Sequence, residues 1–550
     1  MPKFILVDHS LRDTGGHHYP YATSVLQAAA AAGWTPVLAT HRSFAARAAL
    51  PADWPVHALF HDVSYSALTL DTQSARGVRP TLWRRLFAPW SRMLRAQRRA
   101  RHARRFAQGC ARLFAELHCA DGDVVFVPTA SELDLQGLAQ FLGAGPPLPA
   151  LRWHAQLHFG IHARRDWRRH SDARAATAMT ESLRASLRVL APLGLRLWCT
   201  TEPLAAQYQA LGVADFRALP YPVHPSFTRQ REFRAAPRPA RIACLGHARR
   251  EKNQRLLPAL LEALWLEHFA TGTAQLVVQN ARPAQRAALE ATVRRLRAAA
   301  GARGMEHATA SPLDLSAGRL DQQQYAALVC GSDVGLLLYD ARRYHDRCSG
   351  VLLEMRVAGV PVIVPARSWL ADQIEVDNQV WLEDCATELA AQSRLLALPV
   401  PAAGGALPVP SGCGALLLTR QWSADRLPAD GETVTVEQRD ERGGVLASES
   451  LWFEARAEAP QTRSLLPLHD HCRILHVAVA RDLQLQAVSG TAPPRGALGL
   501  AIDSPAQAAG ALHDLLRHLG HYKRHAAEHA VRCAVRSSAA RIVAEILERD

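Results

Sequence analysis

The sequence predicts an α/β protein of two parallel-sheet domains, with an all-β module set into the second. Three observations predict it. Short apolar runs, each followed by a polar or glycine-bearing loop and a helical pattern, recur through residues 1–230 and again through 240–381, as βαβ units do. Between about 382 and 494 the period changes to two, with short alternating strands separated by turn residues. The strand-then-helix rhythm returns over 495–550, so the β module reads as inserted rather than appended.

The totals agree with this division. The chain has 550 residues, enough for two or three domains with sizeable cores, and 48% of them are hydrophobic, an ordinary share for a globular protein. No apolar run reaches the roughly 18–20 residues that a membrane-spanning helix needs. The start, MPKFILVDHS, lacks the length and cleavage pattern of a signal peptide and reads as a first strand. Ten cysteines are scattered without C-x-x-C pairs or metal-ligand spacing, which predicts reduced thiols, no metal site and a cytoplasmic location. The formal charge is +14, carried almost wholly by arginine. Zinc-finger spacing, RNP motifs and a basic helix-turn-helix are all missing from the sequence, so nucleic acid is not expected as the partner.

The first strand, Phe4–Asp8, passes through a loop with Gly15 and Gly16 into a helix; paired glycines there bend the chain and leave room for a ligand. Strands follow at Thr35–Thr40 and Val56–Phe60. Residues 82–117 hold ten arginines with no acid before Glu116, and Leu82, Leu86, Trp90, Met93 and Leu94 recur at helical spacing. A basic amphipathic helix of this kind suits an anionic membrane surface as well as a solvated helix face, and Pro89 is expected to bend it. Asp123–Ser131 reads as a buried strand. Leu151–Phe159 alternates like a strand and brings His154 and His158 to one face. The first domain should end near 222–240, where proline and charge interrupt the pattern.

In the second domain the strand Arg241–Leu245 ends at Gly246, and Arg249 and Lys252 flank the turn into a helix. Two cations and a helix N-terminus at one strand end suit a diphosphate. Further on comes YDARRYHDRCSGVLLEMRVAGVPVIVP, Tyr339–Pro365: loop, helix from Ser349-Gly350, stop at Gly359, strand. Ser349 can cap that helix and Gly350 lets a phosphate approach the backbone. Glu354 lies four residues after Gly350, on the same helix face, and can accept hydrogen bonds from a pair of sugar hydroxyls. Asp346 falls in the loop expected at the pocket mouth. Together these residues describe a nucleoside diphosphate held by its phosphates and its ribose. Residues 395–411, rich in Pro, Gly and Ala, read as a linker into the β module, whose Trp422, Trp452 and Phe453 would stack on sugar rings if exposed.

The stretch Tyr339–Pro365 resembles the donor-site motif of retaining GT-B glycosyltransferases of the family 4 type: two acids with seven residues between them, a helix of small residues, then a Gly-x-Pro-Val-Ile strand. Asp346 stands in the first acidic place, where Glu is usual, and Glu354 in the second. Lys252 matches the family lysine six residues after Gly246, while His247 replaces a common arginine, leaving Arg249 to supply that charge. The resemblance implies a GT-B fold of two Rossmann-like domains, with Asp346 touching the transferred sugar and Glu354 the ribose. It also implies that Gly15 and Gly16 face the cleft and that His158, or alternatively His154, sits under the sugar. The activity implied is metal-independent transfer, with retention, from a nucleotide-diphosphate sugar to a glycan or lipid-linked acceptor. No cofactor is expected beyond that donor substrate. A nucleotide-sugar epimerase of the same fold and a non-catalytic carbohydrate-binding scaffold are the competing expectations.

Overall fold

In the computed structural model, the residues described are 1–15, 18–63, 88–162, 173–229, 239–246, 249–302, 311–315, 318, 320–392, 396–398, 405–422, 432–453, 461–478 and 483–548. Gly16, His17, His247, Leu82 and Leu86 lie outside them.

The first domain is a seven-stranded sheet: β1 (Lys3–Asp8), β2 (Thr35–His41), β3 (Val56–Phe60), β4 (Val124–Ala130), β5 (Arg152–Leu157), β6 (Arg196–Cys199) and β7 (Phe216–Ala218). The order is β3-β2-β1-β4-β5-β6-β7 and every pairing is parallel. Strands such as Phe4–Val7 and Val124–Val127 are buried on both faces, which is why they read as continuous apolar runs. The helix Ala88–Glu116 is described from the residue before Pro89, and the stretch on the other side of the expected bend lies outside the described residues.

The second domain contributes β8 (Ala240–Cys244), β9 (Ala274–Val278), β10 (Leu313–Asp314), β11 (Val334–Leu336) and β12 (Val362–Pro365). The helix Trp369–Gln392 follows and runs straight through position 382, where the β module was expected to begin. Among its described residues the module has eight strands: β13 (Leu396–Leu398), β14 (Gly405–Pro408), β15 (Cys413–Gln421), β16 (Glu432–Arg439), β17 (Val445–Phe453), β18 (Gln461–Pro467), β19 (Ile474–Ala478) and β20 (Leu483–Ser489). They form two four-stranded antiparallel sheets, β13-β20-β15-β18 and β14-β19-β16-β17, packed on a shared core with Phe453 and Leu416 at its centre. Two of these strands, β13 and β14, occupy the stretch that composition marked as a linker.

The chain then rejoins the second sheet through β21 (Gly499–Ile502), whose parallel register on β12 runs from Val362 opposite Gly499 to Pro365 opposite Ile502. Gly499 has φ +139°, and a side chain there would strike the Val362 backbone. The completed order is β10-β9-β8-β11-β12-β21. The chain finally crosses back: the helix Ala539–Leu547 packs on the helix His18–Ala31, and Arg152 donates to the Ile546 carbonyl at 2.8 Å. Two Rossmann-like parallel-sheet domains facing each other, with a terminal crossover, make the GT-B architecture.

Candidate functional site

Each sheet reverses its strand order once, between β1 and β4 in the first and between β8 and β11 in the second. Loops leaving β1, β8 and β11 therefore open into crevices at the strands' carboxyl ends. The two crevices face each other and share a cavity of about 590 Å³, a volume suited to a nucleotide-sized ligand.

The second-domain wall carries the charge. Gly246, just past the end of β8, has φ +88°, a left-handed turn in which any side chain would be strained and would also meet the Lys252 ammonium. Its N–H donates to Gln279 Oε1 at 2.8 Å. Lys252 is 9% exposed, donates to the Leu245 carbonyl at 3.1 Å and sits 4.9 Å from the centre of the Tyr339 ring. Burial lowers its pKa. Arg249 lies at the cavity with its backbone extended. These two cations were expected at a helix N-terminus; instead Arg249 precedes and Lys252 closes a 3₁₀ turn, Arg250–Lys252, ended by Asn253 at φ +51°, and the helix proper starts at Leu257. Two helix N-termini reach the cavity among the described residues: that of Gln322–Cys330, whose cap Asp321 and first residue Gln322 line it, and that of Gly350–Val357. Ser349 caps it, accepting from the Leu352 N–H at 3.3 Å, and Arg347, Ser349 and Gly350 all line the space.

Glu354 lines the same space one turn along. Tyr325 donates to its Oε2 at 2.7 Å. Burial raises its pKa to about 7, against the opposing pull of the Tyr325 hydrogen bond and Lys252. Neither Tyr325 nor Gln279 was singled out from the sequence, although Gln279-Asn280 at the end of β9 is a polar pair where a binding crevice was due.

The first-domain wall is built on Asp8. Its carboxylate accepts from Ser10 N–H at 3.0 Å and pairs with His18 Nδ1 at 2.9 Å, fixing the loop that carries Asp13 and Gly15 to the cavity. His158 lies one residue past the end of β5 and lines the cavity; its Nε2–H donates to the Pro128 carbonyl at 2.5 Å, and burial holds its pKa down to about 4, so the ring is neutral. His154 does not share its surroundings. It is 1% exposed, stacks on Trp198 and accepts the indole N–H at 3.2 Å.

Asp346, expected at the transferred sugar, lies apart from the other site residues. The loop holding it is at the cavity, but its side chain is 4% exposed and does not belong to the described lining. It points into the seam between the domains, where Gln207 Nε2 donates to Oδ2 at 3.2 Å. A first-domain amide has captured the carboxylate that was expected to face the sugar.

Outside the cavity, two groups of described residues bring ligand-type atoms together: His9, His102 and Asp134, and Glu267, His268 and His513. Neither group lines the cavity. In the first, one carboxylate oxygen lies between two imidazoles, at 2.8 Å from His102 and 3.4 Å from His9, and it ties the basic helix Ala88–Glu116 to β1. In the β module, Trp422 and Phe453 are core residues, not stacking platforms: Trp422 donates to Thr462 Oγ1 at 2.8 Å and Phe453 is fully buried.

No family model matches the chain, and no curated protein matches it. Among solved structures, trehalose-6-phosphate synthase OtsA is similar at 14% identity, over 67% of this chain and 86% of that one, with a TM-score of 0.44. The α,α-trehalose-6-phosphate synthase of Burkholderia multivorans is similar at 14%, over 68% and 84%, with a TM-score of 0.42. WaaG, a glycosyltransferase of lipopolysaccharide biosynthesis, is similar at 16%, over 68% and 84%, with a TM-score of 0.40.

Proposed function

We propose that the chain is a glycosyltransferase that moves a sugar from a nucleoside-diphosphate sugar to a hydroxyl of a glycan or lipid-linked acceptor, with retention as the resemblance implies. One observation carries the reading: Lys252, Arg249, the N-terminus of Gly350–Val357 and Glu354 converge on a single cavity between two Rossmann-like domains. The same cavity is lined by His158 and Gly15 from the opposite domain.

In this reading the diphosphate lies against Gly246, Lys252, Arg249 and the free N–H groups at Ser349-Gly350. As the bond to the sugar breaks, negative charge grows on the diphosphate oxygens, and those groups are already aimed where it develops. Lys252 is the central one, since its burial excludes the water that would screen it. The chain's own cations supply the countercharge, and activity is expected to survive EDTA. Glu354, oriented by Tyr325, accepts from the ribose hydroxyls. Neutral His158 presents a polar ring edge beneath the sugar without placing a cation beside an oxocarbenium-like centre. Gly15, with Gly16, leaves room for donor or acceptor at the first-domain loop.

A second element bears on where the acceptor lies. On the helix Ala88–Glu116, Trp90, Met93 and Leu94 are 71%, 62% and 48% exposed, and Arg98, Arg101 and Arg104 are exposed beyond them. Exposed apolar and aromatic side chains with neighbouring cations fit an anionic lipid surface. No helix among the described residues is long and apolar enough to cross a membrane, so attachment would be peripheral, on the cytoplasmic face, with roles in polysaccharide or glycoconjugate synthesis.

Thermal-shift screening with UDP-, GDP- and ADP-sugars, followed by product analysis, tests the reading. A donor that stabilises the wild type but not Lys252→Ala, and whose sugar appears on an acceptor, supports it. Stabilisation by none of the three, or release of an epimerised nucleotide sugar alone, refutes it. Sedimentation with phosphatidylglycerol vesicles at low salt tests the membrane element; failure to co-sediment removes it.

A further inference from the structure

The seam around Asp346 holds more than one stray hydrogen bond. Its backbone carbonyl accepts from Thr201 Oγ1 at 2.5 Å, and Thr201 caps the first-domain helix Glu202–Gln209. Its carboxylate accepts from Gln207 of that same helix, and His345 Nε2 lies 3.3 Å away. The other end of the Gln207 amide accepts from the Ile161 N–H at 2.5 Å, while Tyr208 donates to the Phe159 carbonyl at 3.0 Å. Gly160 lies directly beneath the carboxylate: a methyl at that position would drive into Asp346 Oδ2 and crowd Gln207 Oε1. Thr201, Gln207 and Asp346 are at most 4% exposed.

These contacts join two loops that both end in the cavity. On one side His158 and Phe159 line it, immediately before Gly160; on the other Arg347, Ser349 and Gly350 line it, immediately after Asp346. The amide of Gln207 is therefore shared between the loop under the sugar position and the loop that opens the phosphate-binding helix.

We propose that Asp346, Gln207 and Gly160 form an interdomain latch that sets the separation of the cavity's two walls, so that Asp346 is a positioning residue and not a group that touches the transferred sugar. This rests on the cavity being the donor site, but the latch can be read without any ligand. A buried carboxylate held by one amide from the opposite domain costs free energy when that partner is lost, because the acceptor is left without its donor. Opening the domains breaks the contact; closing them remakes it, and with it the relative placement of His158 and the helix Gly350–Val357.

The test uses the full chain and five variants: Gln207→Ala, Asp346→Ala, Gly160→Ala, Gly160→Ala with Asp346→Ala, and Asp346→Asn. Gly160 lies outside the left-handed region, so alanine is tolerated by the backbone and acts through its contacts with the Asp346 carboxylate and the Gln207 amide. Small-angle X-ray scattering of nucleotide-free protein reads domain separation. The latch predicts a larger radius of gyration in all three single alanine variants, with melting midpoints near the wild type. It predicts no further opening when Gly160→Ala is added to Asp346→Ala, and recovery in Asp346→Asn, whose Oδ1 still accepts. Calorimetry with UDP, GDP and ADP reads the site: the single alanine variants should bind about tenfold more weakly by a shared factor, since residues of one network do not add. A loss confined to Asp346 variants, with Gln207→Ala and Gly160→Ala unchanged in both measurements, overturns the latch. If no nucleotide binds the wild type while scattering still shows the pattern, the donor-site reading falls and the latch stands.

Discussion

The two walls of the cavity are built on different principles. The second-domain wall concentrates charge, with Arg249 and Lys252 from one loop, Asp321 from the start of a helix, and Arg347, Glu354 and the N-terminus of Gly350–Val357 from a third stretch. The first-domain wall carries a single described acid, Asp13, and a neutral histidine, His158, whose ring is held by a backbone carbonyl. On the proposed function the two walls divide the labour: one is preorganised to bind an anion tightly, the other to shape the space over it. Substitutions on the second wall should then reduce nucleotide affinity, and substitutions on the first should reduce turnover.

The largest expected effect is Lys252→Ala. Loss of a buried charge-assisted contact should weaken nucleoside-diphosphate binding about 30-fold by calorimetry; an unchanged affinity would erase the contrast between the walls. Glu354→Gln should cost about tenfold and also change the pH profile. Burial lifts the Glu354 carboxyl to about 7, so it becomes a full acceptor for ribose hydroxyls only as pH rises through that value, and wild-type affinity should increase from pH 6 to pH 8 (both roughly one unit from that midpoint). For the unliganded fold the sign reverses. Below the ordinary glutamate value both states hold the proton; between there and about 7 the unfolded chain has lost it and the native state keeps it, so this group's contribution to stability falls as pH rises across that window. Glu354→Gln should abolish both trends, as followed by calorimetry and by denaturant melts at each pH. Tyr325→Phe removes one donor to Glu354 and should cost about threefold in affinity. The smallest effect on binding belongs to His158→Ala: affinity within about twofold of wild type, with transfer slowed at least tenfold in a single-turnover assay.

Much of the second wall was legible in the sequence because it is contiguous. Ser349, Gly350 and Glu354 share one helix, and Gly246 and Lys252 share one loop, so spacing alone put them together. What spacing could not supply came from other elements. Tyr325 reaches Glu354 from a separate helix, and Gln207, 139 residues before Asp346, turns that side chain away from the cavity. Asp346 and Glu354 look alike in the chain and end in different surroundings because only one has a first-domain amide beside it. The two histidines after β4 separate for a related reason: His154 is inside the strand and meets Trp198, whereas His158 is past its end.

The inserted module shows the same limit. Its period-two strands β15 to β20 were readable, but β13 and β14 were not, since three or four residues carry little pattern and each is held by a partner strand far along the chain. The helix Trp369–Gln392 hid its length because its two halves serve different cores: Leu370 and Ile374 pack with the main domains, and Ala386 packs against Leu417 and Leu465 of the module. A helix facing two cores has no single apolar stripe to detect.

The most direct measurement is a crystal structure of the chain with whichever of UDP, GDP or ADP binds. The diphosphate should lie against Lys252 and the N–H groups of Ser349 and Gly350, with both ribose hydroxyls on Glu354. A nucleotide seated elsewhere, or one whose ribose lies against Lys252 and whose phosphates point away from Gly350, would contradict this placement.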